Sequence, residues 1–358
     1  MMKQDDRPFR IVLVLGGGNA LGAYQAGLYE ALQQRGREPD WIVGASIGGL
    51  NAAIIAGNPP EARIEKLARF WQPASSAPAA AGMFGTPLES WRRTAEVIQT
   101  LLLGRGGMFG SIGSARLFGM IDPTAQFPAL YGTEPMAETL RELIDFERLK
   151  ACVPPITLTA VDVETGDDAV FDSRDVAIKP DHIRASGALL AAFPAVEIQG
   201  RRYADAGLSA NLPLDPVLGG AHDRPILCIA ADLLPLGGRV PTEVGEAIGR
   251  MQDIMFAAQS RRSIDRWKAE YASRPEPPSV TLLRMAYSDQ EREVAGKAMD
   301  FSPLSARQRW DAGHRDMTRL LDALDRGEVP TGAPGLTVID GNGDLPAPVA
   351  DATLSPDA

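Results

Sequence analysis

The run Gly44-Ala45-Ser46-Ile47-Gly48 sets a serine among small neighbours in a G-x-S-x-G pattern. A serine hydroxyl is a weak nucleophile until a turn exposes it and a base takes its proton. Small residues on both sides let a strand reverse sharply into a helix, with the hydroxyl at the apex and the helix N-terminus beneath developing negative charge. Upstream, Gly16-Gly17-Gly18 closes another apolar run. Consecutive glycines present backbone N–H groups that can converge on an oxyanion. Ser46 is therefore the candidate nucleophile, and Gly16, Gly17 and Gly18 form the candidate oxyanion hole.

The base is less clear from residue types. The chain has three histidines, His182, His222 and His314. The first follows Pro180-Asp181, the second sits in a Gly-Gly-Ala-His-Asp turn, and the third lies on a charged helical stretch. An aspartate is the alternative. Asp205, in Tyr203-Ala204-Asp205-Ala206-Gly207, ends a hairpin strand before a glycine turn. An exposed carboxylate is a poor base, whereas partial burial beside a hydroxyl raises its proton affinity. Capping of the turn by Asp205 explains the fragment equally well. The glycine turn also has a rival use, since Gly16, Gly18 and Gly22 fit a loose dinucleotide fingerprint. That fingerprint needs an acidic residue at the end of the second strand. Here the strand ends in Gly44-Ala45-Ser46, and Asp40 precedes it.

These residues need a sheet to hold them. Ile11 to Leu15 and Trp41 to Val43 are apolar runs that read as buried strands, each followed by a glycine turn and a helical pattern, over Leu21–Arg35 and Gly49–Ala56. Another helix is expected over Glu61–Trp71. Strand–helix alternation of this length predicts a parallel sheet covered by helices, with the C-terminal ends of neighbouring strands side by side. Later strands are expected at Ile156–Val161, Ala169–Asp172 and Ile226–Ala231, and a hairpin at 196–204 around Gln199-Gly200. Residues 74–125, rich in Ala, Gly, Ser and Met, read as an insertion or lid, with apolar pieces at Leu101–Leu103 and Met108-Phe109. Charged helices are expected at 243–274 and 303–326, and a loose tail after Gly327. Asp340-Gly341-Asn342-Gly343-Asp344 reads as a polar turn, because Leu345 stands where a calcium loop needs glycine.

Composition narrows the partners. The 358 residues are 45% hydrophobic and 23% charged, enough to bury a core without staples. With 36 basic and 46 acidic residues the net charge is −10, which repels nucleic acid and disfavours electrostatic docking on anionic lipid. Two cysteines, Cys152 and Cys228, cannot build a disulfide framework or a zinc cluster, and a reducing compartment fits them. No apolar run reaches the ~18 residues of a membrane span. A cytoplasmic or peripherally membrane-associated protein is expected, and its oligomeric state is left open.

Taken in order, Gly16-Gly17-Gly18, Gly44-Ala45-Ser46-Ile47-Gly48 and Asp205-Ala206-Gly207 with Ala210-Asn211-Leu212-Pro213 resemble the patatin-like phospholipase family across roughly 11–215. Ala185-Ser186-Gly187-Ala188 and Phe193-Pro194 resemble the stretch before that family's aspartate. The resemblance implies a three-layer α/β/α sheet with a mainly helical C-terminal region of uncertain role. It also implies a Ser46–Asp205 dyad without histidine and hydrolysis of lipid-type esters, with no metal or organic cofactor. The expected layout is an acyl hydrolase domain at 1–224, a C-terminal α/β region at 225–327 packing on it, and a tail at 328–358. Two departures stand out. The family usually carries Lys or Arg two residues after the glycine triplet, where this chain has Ala20. Ala206 fills a place usually taken by glycine. A non-catalytic lipid-binding protein on the same fold is the competing reading.

Overall fold

The aliphatic run after Phe9 forms strand β1 (Arg10–Leu15), and its side chains alternate between two cores. Ile11, Leu13 and Leu15 face one apolar cluster, while Val12 and Val14 face another. A strand buried on both faces must be covered twice, and helices do so here. The computed structural model describes residues 7–71, 86–110, 129–287, 293–294 and 296–341, and for 86–90 the backbone only.

On one face lie α1 (Ala23–Gln34), α2 (Ile47–Ala56), α3 (Pro60–Trp71) and a long C-terminal helix (Pro303–Asp325). The other face is covered by Val217 and Leu218 and by Ile264, Trp267 and Tyr271 from a second long helix (Val244–Ser273). The fold is therefore three-layered α/β/α, as expected. Helix α1 crosses the C-terminal helix closely. A Cβ on Gly27 or Gly313 would strike the partner's backbone, at Trp310 and Tyr24 respectively. Tyr24 donates to Asp316 (2.9 Å) beside that crossing.

The sheet also contains β2 (Trp41–Ala45), β5 (Ile156–Asp162), β6 (Asp168–Asp172), β7 (Val196–Ile198), β8 (Arg201–Asp205), β9 (Ile226–Asp232), β10 (Ser279–Ala286) and β11 (Gly335–Asp340). Its order is β11-β10-β9-β1-β2-β5-β8-β7, with β6 on β5. Strands from β11 to β5 run parallel, while β6, β7 and β8 pair antiparallel. A separate ribbon joins β3 (Gly104–Arg105) to β4 (Phe109–Gly110). Remaining helices are α4 (Thr86–Leu103), α5 (Glu134–Leu143), α6 (Phe146–Lys150), α7 (Pro180–Ser186) and α8 (Asp215–Leu218). The two long helices are α9 (Val244–Ser273) and α10 (Pro303–Asp325).

Three expectations change. A boundary at 224/225 falls just before a strand of the common sheet, because β9 pairs with β1 over six residues. The C-terminal region thus contributes β9, β10 and β11 to the sheet as well as its helices. The expected tail from 328 holds β11, whose Leu-Thr-Val-Ile run pairs in register with β10; of the calcium-like stretch, residues from Asn342 lie outside the described ones. Within 74–125, α4 and the β3–β4 ribbon are ordered elements, and 74–85 and 111–125 lie outside the described residues. Met108 and Phe109 are both buried, with Phe109 packed edge-on against Tyr131, Phe193 and Phe301. Arg105 fixes the ribbon, lying over the rings of Phe70 and Phe301 and donating to the Phe70 carbonyl.

Candidate active site

Ser46 and Asp205 meet because two strands share one edge of β5. Ala45 of β2 pairs with Thr159, the end of its register with β5. Ala160, the next residue, pairs with both Ala169 and Asp205. So β8 takes up, from the opposite direction, the edge that β2 leaves. The last residue of β8 and the residue after β2 arrive at the same point, and Ser46 Oγ donates to Asp205 Oδ2 at 2.6 Å.

The serine turn is strained, as a nucleophile elbow requires. Ser46 has φ 54°, a left-handed conformation costly for a non-glycine residue. Its amide is held by Ser186 Oγ (2.9 Å), a fully buried hydroxyl from the end of α7. Gly48 is required by space, since a Cβ there would overlap the Leu15 carbonyl.

Asp205 is 5% exposed. Oδ1 accepts from the Gly207 amide at 2.6 Å, which leaves Oδ2 to the serine. No cation pairs with it among the described residues. Burial therefore dominates and pushes its pKa up to about 6, against the opposing hydrogen bonds from Ser46 and Gly207. A carboxylate at that value is ionised near neutrality and a better proton acceptor than a surface one.

The histidines are elsewhere. His182 Nδ1 accepts from the Lys179 amide, and its ring lies against Phe171. His222 bonds to the Val217 carbonyl in a hollow lined by Arg10, Asp40, Trp41 and Ile226, at the strand ends opposite Ser46. His314 bonds to Gln34 across the α1–α10 crossing. Asp40 accepts from the Ile11 amide and Arg7 at that same far end. The glycine turn thus lacks the acid a dinucleotide needs, and Gly22 is packed against Ile47 and Trp71.

The glycine turn lies beside the serine: a Cβ on Gly17 would come within 3.2 Å of Ser46 Cβ. Its amides are not equivalent, and here the expectation is corrected. Gly16 N–H donates to the Ala231 carbonyl (3.1 Å) and Gly17 N–H to the Asn211 carbonyl (2.9 Å), so neither is free for an oxyanion. The amides of Gly18, Asn19 and Ala20 have no acceptor among the described residues. Asn19, at φ 52°, continues the turn through a conformation that asparagine tolerates. Every carbonyl from Gly16 to Gly18 is bound: Gly16 by Gln25 Nε2 (2.7 Å), Gly17 by Asn211 Nδ2 (3.1 Å) and Gly18 by the Leu21 amide (3.1 Å). Gln25 carries no motif-level signal of this role, whereas Asn211 and Ser186 lie in the two stretches that carry the family resemblance. Among the described residues, no group of His, Cys, Asp and Glu could hold a metal ion.

A model of the family described as patatin-like phospholipase matches residues 13–218, more than half of the chain, and the chain belongs to that family. A second model, described as patatin phospholipase, matches 243–331. Two uncharacterized NTE family proteins, from Mycobacterium bovis and Mycobacterium tuberculosis, are each 23% identical over 263 residues. The match covers 71% of this chain and 60% of each relative, so the chain spans under two thirds of their length. Among solved structures, VipD from Legionella pneumophila covers 95% of this chain and 73% of its own, at 13% identity and a TM-score of 0.38. The type III effector ExoU covers 91% of this chain and 54% of its own, at 15% identity and a TM-score of 0.37.

Proposed function

We propose that the protein is a serine acyl hydrolase of lipid-type esters that works through a Ser46–Asp205 dyad. The observation that carries this is the 2.6 Å contact between Ser46 Oγ and the buried, cation-free Asp205. Ser46 Oγ attacks the ester carbonyl while Asp205 Oδ2 takes the hydroxyl proton. The carbonyl oxygen becomes an oxyanion that accepts from the Gly18 and Asn19 amides. Collapse breaks the bond to the alcohol, which leaves with the proton from Asp205. Water then attacks the acyl-serine, Asp205 accepts its proton, and the carboxylic acid departs as Ser46 is restored. The base thus acts in both half-reactions. The absence of a cation at Ala20 does not block this chemistry, because backbone amides suffice.

Lipid contact is proposed to be apolar, given the net charge of −10. No helix among the described residues is long and apolar enough to cross a membrane. Leu101, Leu102 and Leu103, at the end of α4, are 45%, 68% and 65% exposed. A second apolar row lies on the first half of α9: Val244, Ile248, Met251 and Met255, at helical spacing and all exposed. A Cβ on Gly207, in the turn beside Asp205, would come within 3.3 Å of the next residue, Phe256, so this row leads toward the dyad.

Hydrolysis of a panel of phospholipids, neutral lipids and short-chain esters tests the reading, with Ser46→Ala as control. Release of fatty acid that disappears in Ser46→Ala supports it; lipid binding without release would establish the non-catalytic alternative. With Leu102→Ser and Met251→Ser, turnover on vesicles should fall several-fold while a soluble ester is spared, and added salt should matter little because screening acts on charges.

A further inference from the structure

Two side chains of the C-terminal region reach into the site from α9 and α10, and each ends on a group that orients one of the free amides. From α9, Gln259 Nε2 donates to the Gly207 carbonyl (3.1 Å) while its Oε1 accepts from the Asn211 amide (3.0 Å). It clamps both ends of the loop that follows Asp205. Asn211, so held, binds Gly17 at its amide and its carbonyl. A peptide unit is planar, with its C=O and the next N–H pointing in opposite directions. Holding the Gly17 carbonyl therefore aims the Gly18 N–H the other way.

The second arm is Arg309, which is fully buried. Its Nη1 donates to the Ala20 carbonyl (3.1 Å) and to the Asp300 carbonyl (2.7 Å). Nη2 donates to Glu293 (2.7 Å) and the Lys297 carbonyl (3.1 Å), and Nε to Glu293 (2.9 Å). The fork thus joins the short turn Asn19–Gly22 to the turn Lys297–Met299. Planarity applies again. Ala20 C=O shares a peptide unit with Leu21 N–H, and that amide holds the Gly18 carbonyl. The Gly18 carbonyl in turn shares its unit with Asn19 N–H.

We infer that Gln259 and Arg309 are positioning residues that aim the Gly18 and Asn19 amides at the transition-state oxyanion. The C-terminal region then serves catalysis without touching substrate, and it does so from the part of the chain that the family's first model does not cover. This rests on the dyad reading above. It adds a role for residues whose sequence neighbourhoods carry no catalytic motif.

The test is steady-state hydrolysis of p-nitrophenyl butyrate by the full chain, with Gln259→Leu, Arg309→Lys and the pair combined, alongside Ser46→Ala. The rate of Ser46 phosphonylation by a fluorophosphonate is read in parallel, because that adduct also uses the oxyanion amides. Lysine keeps the charge but cannot make the fork, and leucine keeps the volume but none of the bonds. Each single variant should lower kcat about tenfold, with KM changed less than twofold and phosphonylation slowed to match. The combined loss should approach the product of the two, since different amides are released. If Arg309→Lys is recovered unfolded, Glu293→Gln, which loosens the fork while keeping the arginine, takes its place with the same readings expected. Folded variants with kcat unchanged, or with KM alone raised, overturn the brace while leaving the dyad standing. Wild-type turnover that survives Ser46→Ala overturns the dyad and the brace with it.

Discussion

Two buried carboxylates, Asp205 and Glu293, lie in this one fold with opposite proton affinities. Asp205 has a serine hydroxyl and one amide for company, and burial lifts its pKa to about 6. Burial alone would raise Glu293 too. Arg309 and Arg93 outweigh it, with hydrogen bonds from Arg309 and Tyr287, and hold that carboxyl below the usual glutamate range. Glu293 lies 2.7 Å from Arg309 and 3.2 Å from Arg93, and Asp300 completes the cluster. The contrast shows how one interior sustains two uses of charge. A carboxylate held between two guanidinium groups stays ionised and fixes geometry. A carboxylate left without a cation keeps its proton affinity near working pH, which a base requires.

The largest expected effect lies at the dyad. Ser46→Ala, Asp205→Asn and the double variant should each lose about 10³-fold or more in kcat, with the double no worse than the singles, because the two residues act as a unit. His182→Ala, His222→Ala and His314→Ala should retain most activity, and a hundredfold loss at any of them would restore a triad.

Next comes stability, where the two clusters should separate. Arg309→Met strands Glu293 and Asp300 and should cost about 3–5 kcal/mol, read as a lower denaturation midpoint. Asp205→Asn should cost nothing. Asp205 has a folded pKa above its unfolded 3.8, so its ionised form destabilises the native state above about pH 6, and that penalty fades as pH falls toward 3.8. Removing the charge should raise stability at pH 8, by up to roughly 3 kcal/mol at 1.36 kcal/mol per unit. A loss at both positions would erase the distinction drawn here.

A smaller effect is expected at Gly17. A Cβ there would strike Asn211 Oδ1. Gly17→Ala should displace the asparagine that holds the turn and lower kcat about 10- to 100-fold with little change in KM. An effect on KM alone would mean that the turn binds ground-state substrate.

The serine turn and its strand were legible because a sharp turn restricts residue type, and Gly44 and Gly48 announce it. The helices at 244–273 and 303–325 were legible from their charge pattern. β11 was not, because its six residues sit among proline and glycine and their burial comes from β10, far away in sequence. Whether Met108 and Phe109 face solvent or core was not legible, because an apolar pair says nothing about which surface covers it. Which amides of Gly16 to Gly18 stay free depends on acceptors at Asn211 and Ala231 that only the folded sheet brings close. Gln259 and Arg309 meet Gly207, Asn211 and Ala20 through side-chain bonds to residues far away in sequence, for which a sequence holds no periodic or motif signal.

The central claim, a serine activated by a buried aspartate, is tested most directly by the pH dependence of Ser46 labelling with a fluorophosphonate, comparing wild type with Asp205→Asn. Labelling needs the ionised base, so the wild-type rate should rise through a single step centred at about pH 6 and level off above it. In Asp205→Asn the rate should be lower throughout and that step absent. A wild-type midpoint near 7 that vanishes in a histidine variant, or Asp205→Asn labelling as fast as wild type, would contradict the account.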